Sequence, residues 1–178
     1  LVHALHALKG EQATKYELAS MAAHIEVDVL GRTMGKQDHF ASAYGNLNVF
    51  TFHEDESVTV EPVFYSPEVW RTLERNLLLF YTQLKRDASD VLKAQDRETT
   101  NNRNVLQQMK ELVSSLREVL SSGKNLNLFG EILHQGWKLK RTLTDGISSS
   151  EIDGYYEKAR KAGALGGKLL GAGGGGFL

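Results

Sequence analysis

The segment GKLLGAGGGGFL (Gly167–Leu178) sets four consecutive glycines, Gly173 to Gly176, behind the apolar, strand-like run Lys168, Leu169, Leu170. Without Cβ atoms such a backbone can turn several N–H groups toward one anion and can approach a phosphate closely. The same composition also suits a flexible linker or tail, and the spacing matches neither the P-loop nor the dinucleotide fingerprint. The strand-like residues before the glycines favour a folded loop over a tail. Phe177 and Leu178 then resume an apolar pattern that would want further residues, so the chain is expected to stop part-way through an element.

Working outward, the preceding hundred-odd residues alternate helical and strand-like signals. Ser150 to Lys161 reads as a helix with Gly163 as its terminator, and Leu126 to Leu143 as another. In NNRNVLQQMKELVSSLREVLSSG, Val105, Met109, Leu112, Leu116 and Leu120 recur every three to four residues, the period of one helix face. DASDVLKAQ is helical as well, whereas NLLLFYT is apolar enough to predict a buried strand. Together with strand GKLL these elements predict a mixed α+β lobe. Ser66 as N-cap with Pro67 at the first helical position marks a change of regime, and the domain boundary is placed there, giving residues 1–65 and 66–178.

Upstream of that boundary, NVFTFH and SVTVEP flank the acidic turn Glu54, Asp55, Glu56 and alternate at period two, which predicts a hairpin. TKYELASMAAHIEVDVL opens on a capping box, Thr14 with Glu17, and places Leu18, Met21, Ala22, Ile25 and Val29 on one face. After it, Asp38 stands where a short helix ending at Gly45 would be capped. LVHALHALKG shows helical spacing from its first residue with no cap, so the chain is expected to begin inside a helix.

Composition narrows the class of partner. A formal net charge of -1 with scattered signs argues against a broad nucleic-acid or membrane surface, which needs clustered Lys and Arg. The absence of cysteine excludes disulfides and thiolate metal sites and makes a cytoplasmic location the default. No apolar run reaches the roughly 18 residues of a membrane span.

A second piece of chemistry is the acidic pair Glu26 and Asp38. Phosphoryl transfer is mostly positioning and charge neutralisation, and a kinase uses one carboxylate to hold magnesium and another beside the attacking hydroxyl. By spacing alone Glu26 reads equally as a solvated helix residue and Asp38 as an ordinary N-cap.

GKQDHFASAYGN and GKLLGAGGGGFL, in that order, resemble the catalytic-aspartate segment and the glycine-rich third motif of the GHMP small-molecule kinases, the superfamily of galactokinase, homoserine kinase and mevalonate kinase. Within it the chain is most similar to the D-glycero-D-manno-heptose 7-phosphate kinases, since NLLLFYTQLKRDASDVLKAQ and EILHQGWKLKRTLTDGISSSEID also read like their C-terminal lobe. The resemblance implies an α+β, two-lobed GHMP kinase fold. Residues 1–65 would finish a lobe like the ribosomal S5 second-domain fold, and residues 66–178 would form a ferredoxin-like lobe. It implies ATP as phosphate donor, Mg2+, and a small-molecule sugar phosphate as partner. Asp38 takes the place of the catalytic aspartate, Glu26 that of the magnesium-holding glutamate, and Gly171 with Gly173, Gly174, Gly175 and Gly176 that of the loop closing over the phosphates. Lys36, Arg86 and Arg141 are candidates for the sugar phosphate because a dianion favours cationic donors, and each reads equally as a solvated surface charge.

Two positions depart from the family pattern. A glycine is expected where Asn46 follows Gly45 and where Gln83 follows LFYT; Asn tolerates the left-handed conformation, while Gln83 is expected to narrow the substrate pocket. The resemblance also implies a serine-rich phosphate loop preceding Leu1, and with it that this chain alone is inactive.

Overall fold

The computed structural model describes residues 1–84 and 88–178, of Ala88 the backbone only, and the chain divides into two units, Leu1–Val63 and Phe64–Leu178. Arg86, proposed above as a phosphate ligand, lies outside the described residues. No described helix is long and apolar enough to cross a membrane.

In the first unit α1 (Val2–Lys9) ends at Gly10, and α2 (Lys15–His24) opens on the expected capping box. The Glu17 amide donates to Thr14 Oγ1 at 3.2 Å and the Thr14 amide donates to Glu17 Oε2 at 2.7 Å. Two features differ from the sequence reading. The helix does not run on as α to Val29, because Ile25–Val29 forms a π turn, with the Leu30 amide reaching back to the Ile25 carbonyl. The buried face is also not the predicted apolar one: Met21, Ile25 and Val29 are exposed, whereas Ala19 and Ala23 are buried. The reason is steric, because α3 (Gln37–Tyr44) drives the fully buried Phe40 against this helix and only alanine leaves room for the ring.

Phe40 organises the unit. Its ring meets Tyr16 at 5.5 Å, Phe52 at 6.2 Å, Tyr44 at 6.3 Å and Phe50 at 6.5 Å between centroids, three of the four edge-on. The predicted hairpin supplies the opposite wall: β1 (Asn48–Phe52) and β2 (Val58–Pro62) pair antiparallel from Asn48 with Pro62 to Phe52 with Val58. Period-two alternation turns Phe50, Val58 and Val60 toward Phe40.

In the second unit α4 (Pro67–Asn76) starts as read, with Ser66 Oγ accepting from the Val69 amide at 3.2 Å. It is followed by α5 (Ala88–Arg97), α6 (Arg103–Ser122), α7 (Asn127–Arg141) and α8 (Ser150–Lys161). The predicted stripe on α6 faces inward, with Val105 and Met109 lying against a core of Val91, Trp137, Leu143, Ile147, Ile152, Tyr156 and Leu169. The segment leading to the glycines crosses α7 backbone on backbone, since a Cβ at Gly166 would lie 1.8 Å from the Gly130 carbonyl oxygen.

The buried strand expected at NLLLFYT is absent. Leu78 and Leu79 are 75% and 65% exposed, and the segment meets the end of the chain only over Phe80 to Thr82, through the antiparallel bridge of Tyr81 with Phe177, the reciprocal backbone bonds of Phe80 and Leu178 at 2.9 Å and the bonds from Thr82 to the Gly176 carbonyl. GKLL is likewise not a regular strand, although Leu169 is fully buried. Apolarity reports what a segment would gain from burial and says nothing about whether another element covers it.

Candidate phosphate loop and acidic pair

The glycine segment is a folded loop. Its ends close where the Leu170 amide donates to the Phe177 carbonyl at 2.8 Å. Buried Thr82 grips the far side, its amide and its hydroxyl each donating to the Gly176 carbonyl at 2.8 Å. Two loop amides are used internally: Gly174 donates to the Ile147 carbonyl at 2.9 Å and Gly176 to the Leu84 carbonyl at 3.1 Å. The amides of Gly171, Ala172, Gly173 and Gly175 have no acceptor among the described residues. Glycine is required by close approach here, because a Cβ on Gly173 would lie 2.9 Å from the Ile147 backbone and one on Gly175 only 2.4 Å from the Leu84 carbonyl oxygen. Unsatisfied donors on a rigid, side-chain-free turn are what an anion cradle needs.

The root of the loop carries a cation that sequence reasoning missed. Lys140 Nζ, from the last turn of α7, donates to the Gly171 carbonyl. Burial, helped by the nearby Lys168 charge, pulls the Lys140 ammonium down to about 8. The run Lys138, Lys140, Arg141 at a helix end was the available signal, but it reads equally as a favourable match to the helix dipole.

Of the acidic pair, Glu26 sits in the π turn and Asp38 in the first turn of α3. Asp38 is not the cap: Lys36 holds that position, so Asp38 is the second helical residue, exposed, with no hydrogen bond or ion pair among the described residues. The two carboxylates are linked through the residue after Asp38. His39 Nε2 lies 2.8 Å from Glu26 Oε2, and the His39 side chain is only 7% exposed, with its Nδ1 unpartnered. The second Glu26 oxygen faces Arg32 Nη1 at 3.3 Å, in an arrangement largely open to solvent on the arginine side. The π turn aims Glu26 this way, since it lets the Arg32 amide reach back to the Glu26 carbonyl at 3.0 Å.

The remaining candidates have partners of their own. Lys36 Nζ pairs with Glu56, and Arg141 Nη2 with Asp153 Oδ2 at 2.8 Å, the other Asp153 oxygen accepting from the Ser148 hydroxyl at 2.6 Å. Both positions where a glycine was expected have a left-handed backbone, Asn46 at φ 56° and Gln83 at φ 61°.

Among the described residues no group of three His, Asp or Glu side chains could by itself hold a metal. A magnesium ion does not require one, because it commonly takes one or two carboxylates and completes its shell with water and phosphate oxygens. Glu26 fits that part through the oxygen that, among the described residues, is contacted by solvent-exposed Arg32 alone.

Residues 109–178 match the family model described as GHMP kinases C terminal. Over this stretch the chain is similar to the C-terminal domain of GHMP kinases. Over 166 residues the chain is 28% identical to a D-glycero-alpha-D-manno-heptose 7-phosphate kinase of Campylobacter jejuni, covering 92% of this chain and 49% of that protein. It is 28% identical over 155 residues to a bifunctional fucokinase/GDP-fucose pyrophosphorylase of Arabidopsis thaliana, covering 84% of this chain and 14% of the relative. Two solved kinases share its fold. A D-glycero-D-manno-heptose 1-phosphate kinase from Bacteriodes thetaiotaomicron superposes with a TM-score of 0.72 at 23% identity, over 98% of this chain and 47% of the other. The L. major mevalonate kinase in complex with R-mevalonate gives 0.70 at 21% identity, over 98% and 51%. The α+β, GHMP-kinase reading of the fold therefore holds, and the chain spans about half the length of the heptose 7-phosphate kinase and of both solved chains.

Proposed function

We propose that this chain supplies the acceptor-activating carboxylate and the glycine-rich phosphate loop of a cytoplasmic, ATP-dependent sugar kinase whose acceptor is the anomeric hydroxyl of a heptose 7-phosphate. The observation carrying this reading is the match to the heptose 7-phosphate kinase over 92% of the chain, far beyond the C-terminal domain alone.

In this reading Asp38 orients the acceptor hydroxyl and takes its proton while the acceptor oxygen bonds to the γ-phosphorus and the bridging bond to the β-phosphate breaks, releasing ADP. Exposure of Asp38 and its lack of a hydrogen bond or ion pair among the described residues suit a residue whose partner is the substrate. The amides of Gly171, Ala172, Gly173 and Gly175, without an acceptor among the described residues, hold phosphate oxygens, with Gly174 and Gly176 anchoring the loop. Glu26, held in place by His39, would carry Mg2+, which when bound neutralises phosphate charge. Lys36 and Arg141 would each have to leave a carboxylate to reach the sugar phosphate, which weakens their claim relative to the other assignments.

A second acceptor, a sugar without the distal phosphate, is favoured by the fucokinase match. Phosphate transfer from ATP by a protein containing this chain, measured against heptose 7-phosphate, fucose and mevalonate, distinguishes the two. Asp38→Asn in that protein is expected to lower kcat about 10²- to 10⁴-fold and leave ATP binding nearly unchanged. Turnover close to the parent's would remove Asp38 from the mechanism.

A further inference from the structure

The turn between α7 and α8, residues 142–149, is closed by one carboxylate. Asp153, in the first turn of α8, accepts from Arg141 Nη2 in the last turn of α7 at 2.8 Å and, on its other oxygen, from the Ser148 hydroxyl at 2.6 Å. Entry and exit of the turn are therefore tied to the same group. Near the entry the Asn102 side-chain amide also donates to the Leu143 carbonyl at 2.6 Å. An ion pair whose two side chains are 37% and 35% exposed adds little to stability, and α7 and α8 are already joined by the buried contact of Trp137 with Tyr156. What the pair fixes is where the turn sits.

That position matters because of what rests on it. The residue before Ser148 is the fully buried Ile147, whose carbonyl accepts the Gly174 amide at 2.9 Å. A Cβ on Gly173 would lie 2.9 Å from the Ile147 Cα and from its carbonyl oxygen. The glycine loop thus lies directly on the Ile147 backbone, with no side chain between them to absorb a shift. A displaced Ile147 either strikes Gly173 or releases Gly174.

We propose that Arg141, Ser148 and Asp153 are positioning residues of the phosphate loop: by closing the turn before α8 they hold the Ile147 carbonyl where it anchors Gly174. The amides of Gly171, Ala172, Gly173 and Gly175, without an acceptor among the described residues, are thereby kept in place for a phosphate chain, and donors fixed in advance lose less freedom when it binds. Arg141 acts through Asp153 and not as a ligand of the sugar phosphate. The inference rests on the reading of the loop given under Proposed function.

The test pairs hydrogen exchange of the Gly174 amide with titration of the ¹⁵N-labelled chain by inorganic triphosphate, following the amides of Gly171 to Gly175. In the parent chain Gly174 is expected to be protected and the other amides to shift together with millimolar affinity. Asp153→Ala should expose Gly174 to exchange and weaken binding about tenfold, while the tryptophan-detected melting temperature falls by no more than about 4 °C. Ser148→Ala should act in the same direction and Ser148→Thr, which keeps the hydroxyl, should restore the parent's behaviour. Glu151→Gln, a carboxylate lost from the same helical turn, controls for general charge and should match the parent. If Asp153→Ala does not fold, the two Ser148 variants carry the comparison. If the parent binds and the Asp153 and Ser148 variants keep both Gly174 protection and affinity, the positioning assignment fails and the loop reading survives. Loss of Gly174 protection with unchanged affinity would also overturn the assignment, since the anchor would then be structural only. No shift in a folded parent chain would overturn the loop reading and the positioning role together.

Discussion

Replacing Gly175 by alanine places a methyl group 2.4 Å from the Leu84 carbonyl oxygen and 2.9 Å from its carbonyl carbon, and both are backbone atoms that cannot rotate away. Ordinary contact begins near 3.4 Å, so loop and Leu84 must separate by about 1 Å. That movement breaks the bond from the Gly176 amide to the Leu84 carbonyl, now 3.1 Å, and strains the two Thr82 bonds to the Gly176 carbonyl. At about 1 kcal/mol for each hydrogen bond affected, the expected loss is roughly 2–3 kcal/mol. Gly171→Ala provides the comparison, because Gly171 has φ +68° with open space around it and an alanine there meets only the left-handed backbone penalty of about 1 kcal/mol. The chain's tryptophans, Trp70 and Trp137, both lie in Phe64–Leu178, so fluorescence-detected thermal unfolding reports on the unit that holds the loop. At about 2–4 °C per kcal/mol, Gly175→Ala should lower the melting temperature of this unit by roughly 5–10 °C and Gly171→Ala by roughly half that or less. If Gly175→Ala costs no more than Gly171→Ala, the loop does not press on Leu84 and the packed geometry is wrong.

Gln83→Gly should stabilise the second unit by about 1 kcal/mol, since Gln83 holds a left-handed φ of 61° that glycine adopts freely; a destabilised variant in the same unfolding assay would show that the side chain contributes more than the strain costs. Phe40→Ala should destabilise the first unit by about 3–5 kcal/mol through the void left among Tyr16, Tyr44, Phe50 and Phe52, read as lost amide protection in hydrogen exchange; protection retained across Ala19 to Ala23 would refute Phe40 as the organising side chain. Lys140 has a folded pKa lowered from 10.5 to about 8, so between those values the unfolded chain binds the extra proton and stability rises with pH. Comparing the parent with Lys140→Met at pH 7 and pH 10 should show the variant's advantage at neutral pH, of roughly 1–3 kcal/mol, shrinking as pH rises; a constant difference would contradict the shift.

The local signals of the chain were sufficient for its hairpin and for its helices, apart from the π turn at Ile25–Val29 and the cap of α3. The Thr14–Glu17 capping box, Ser66 with Pro67 and the α6 stripe act within a few residues of one another, and the same residues make the same contacts in the fold. The order of GKQDHFASAYGN and GKLLGAGGGGFL was likewise enough to point to the family, because close backbone packing restricts which residues a loop tolerates. What depended on residues far apart in sequence was decided only by tertiary structure. The buried face of α2 follows Phe40 rather than the helix's own apolar stripe, and the exposure of Leu77 to Tyr81 follows from what does not cover them. His39 grips Glu26 because a π turn rotates that carboxylate, a change of helical register that no local pattern announced. Lys140 reaches Gly171 across 31 residues, and its lowered pKa is a property of the burial and the second lysine it meets there. Sequence specifies what each short segment prefers, while desolvation and steric fit between segments determine which preferences are honoured.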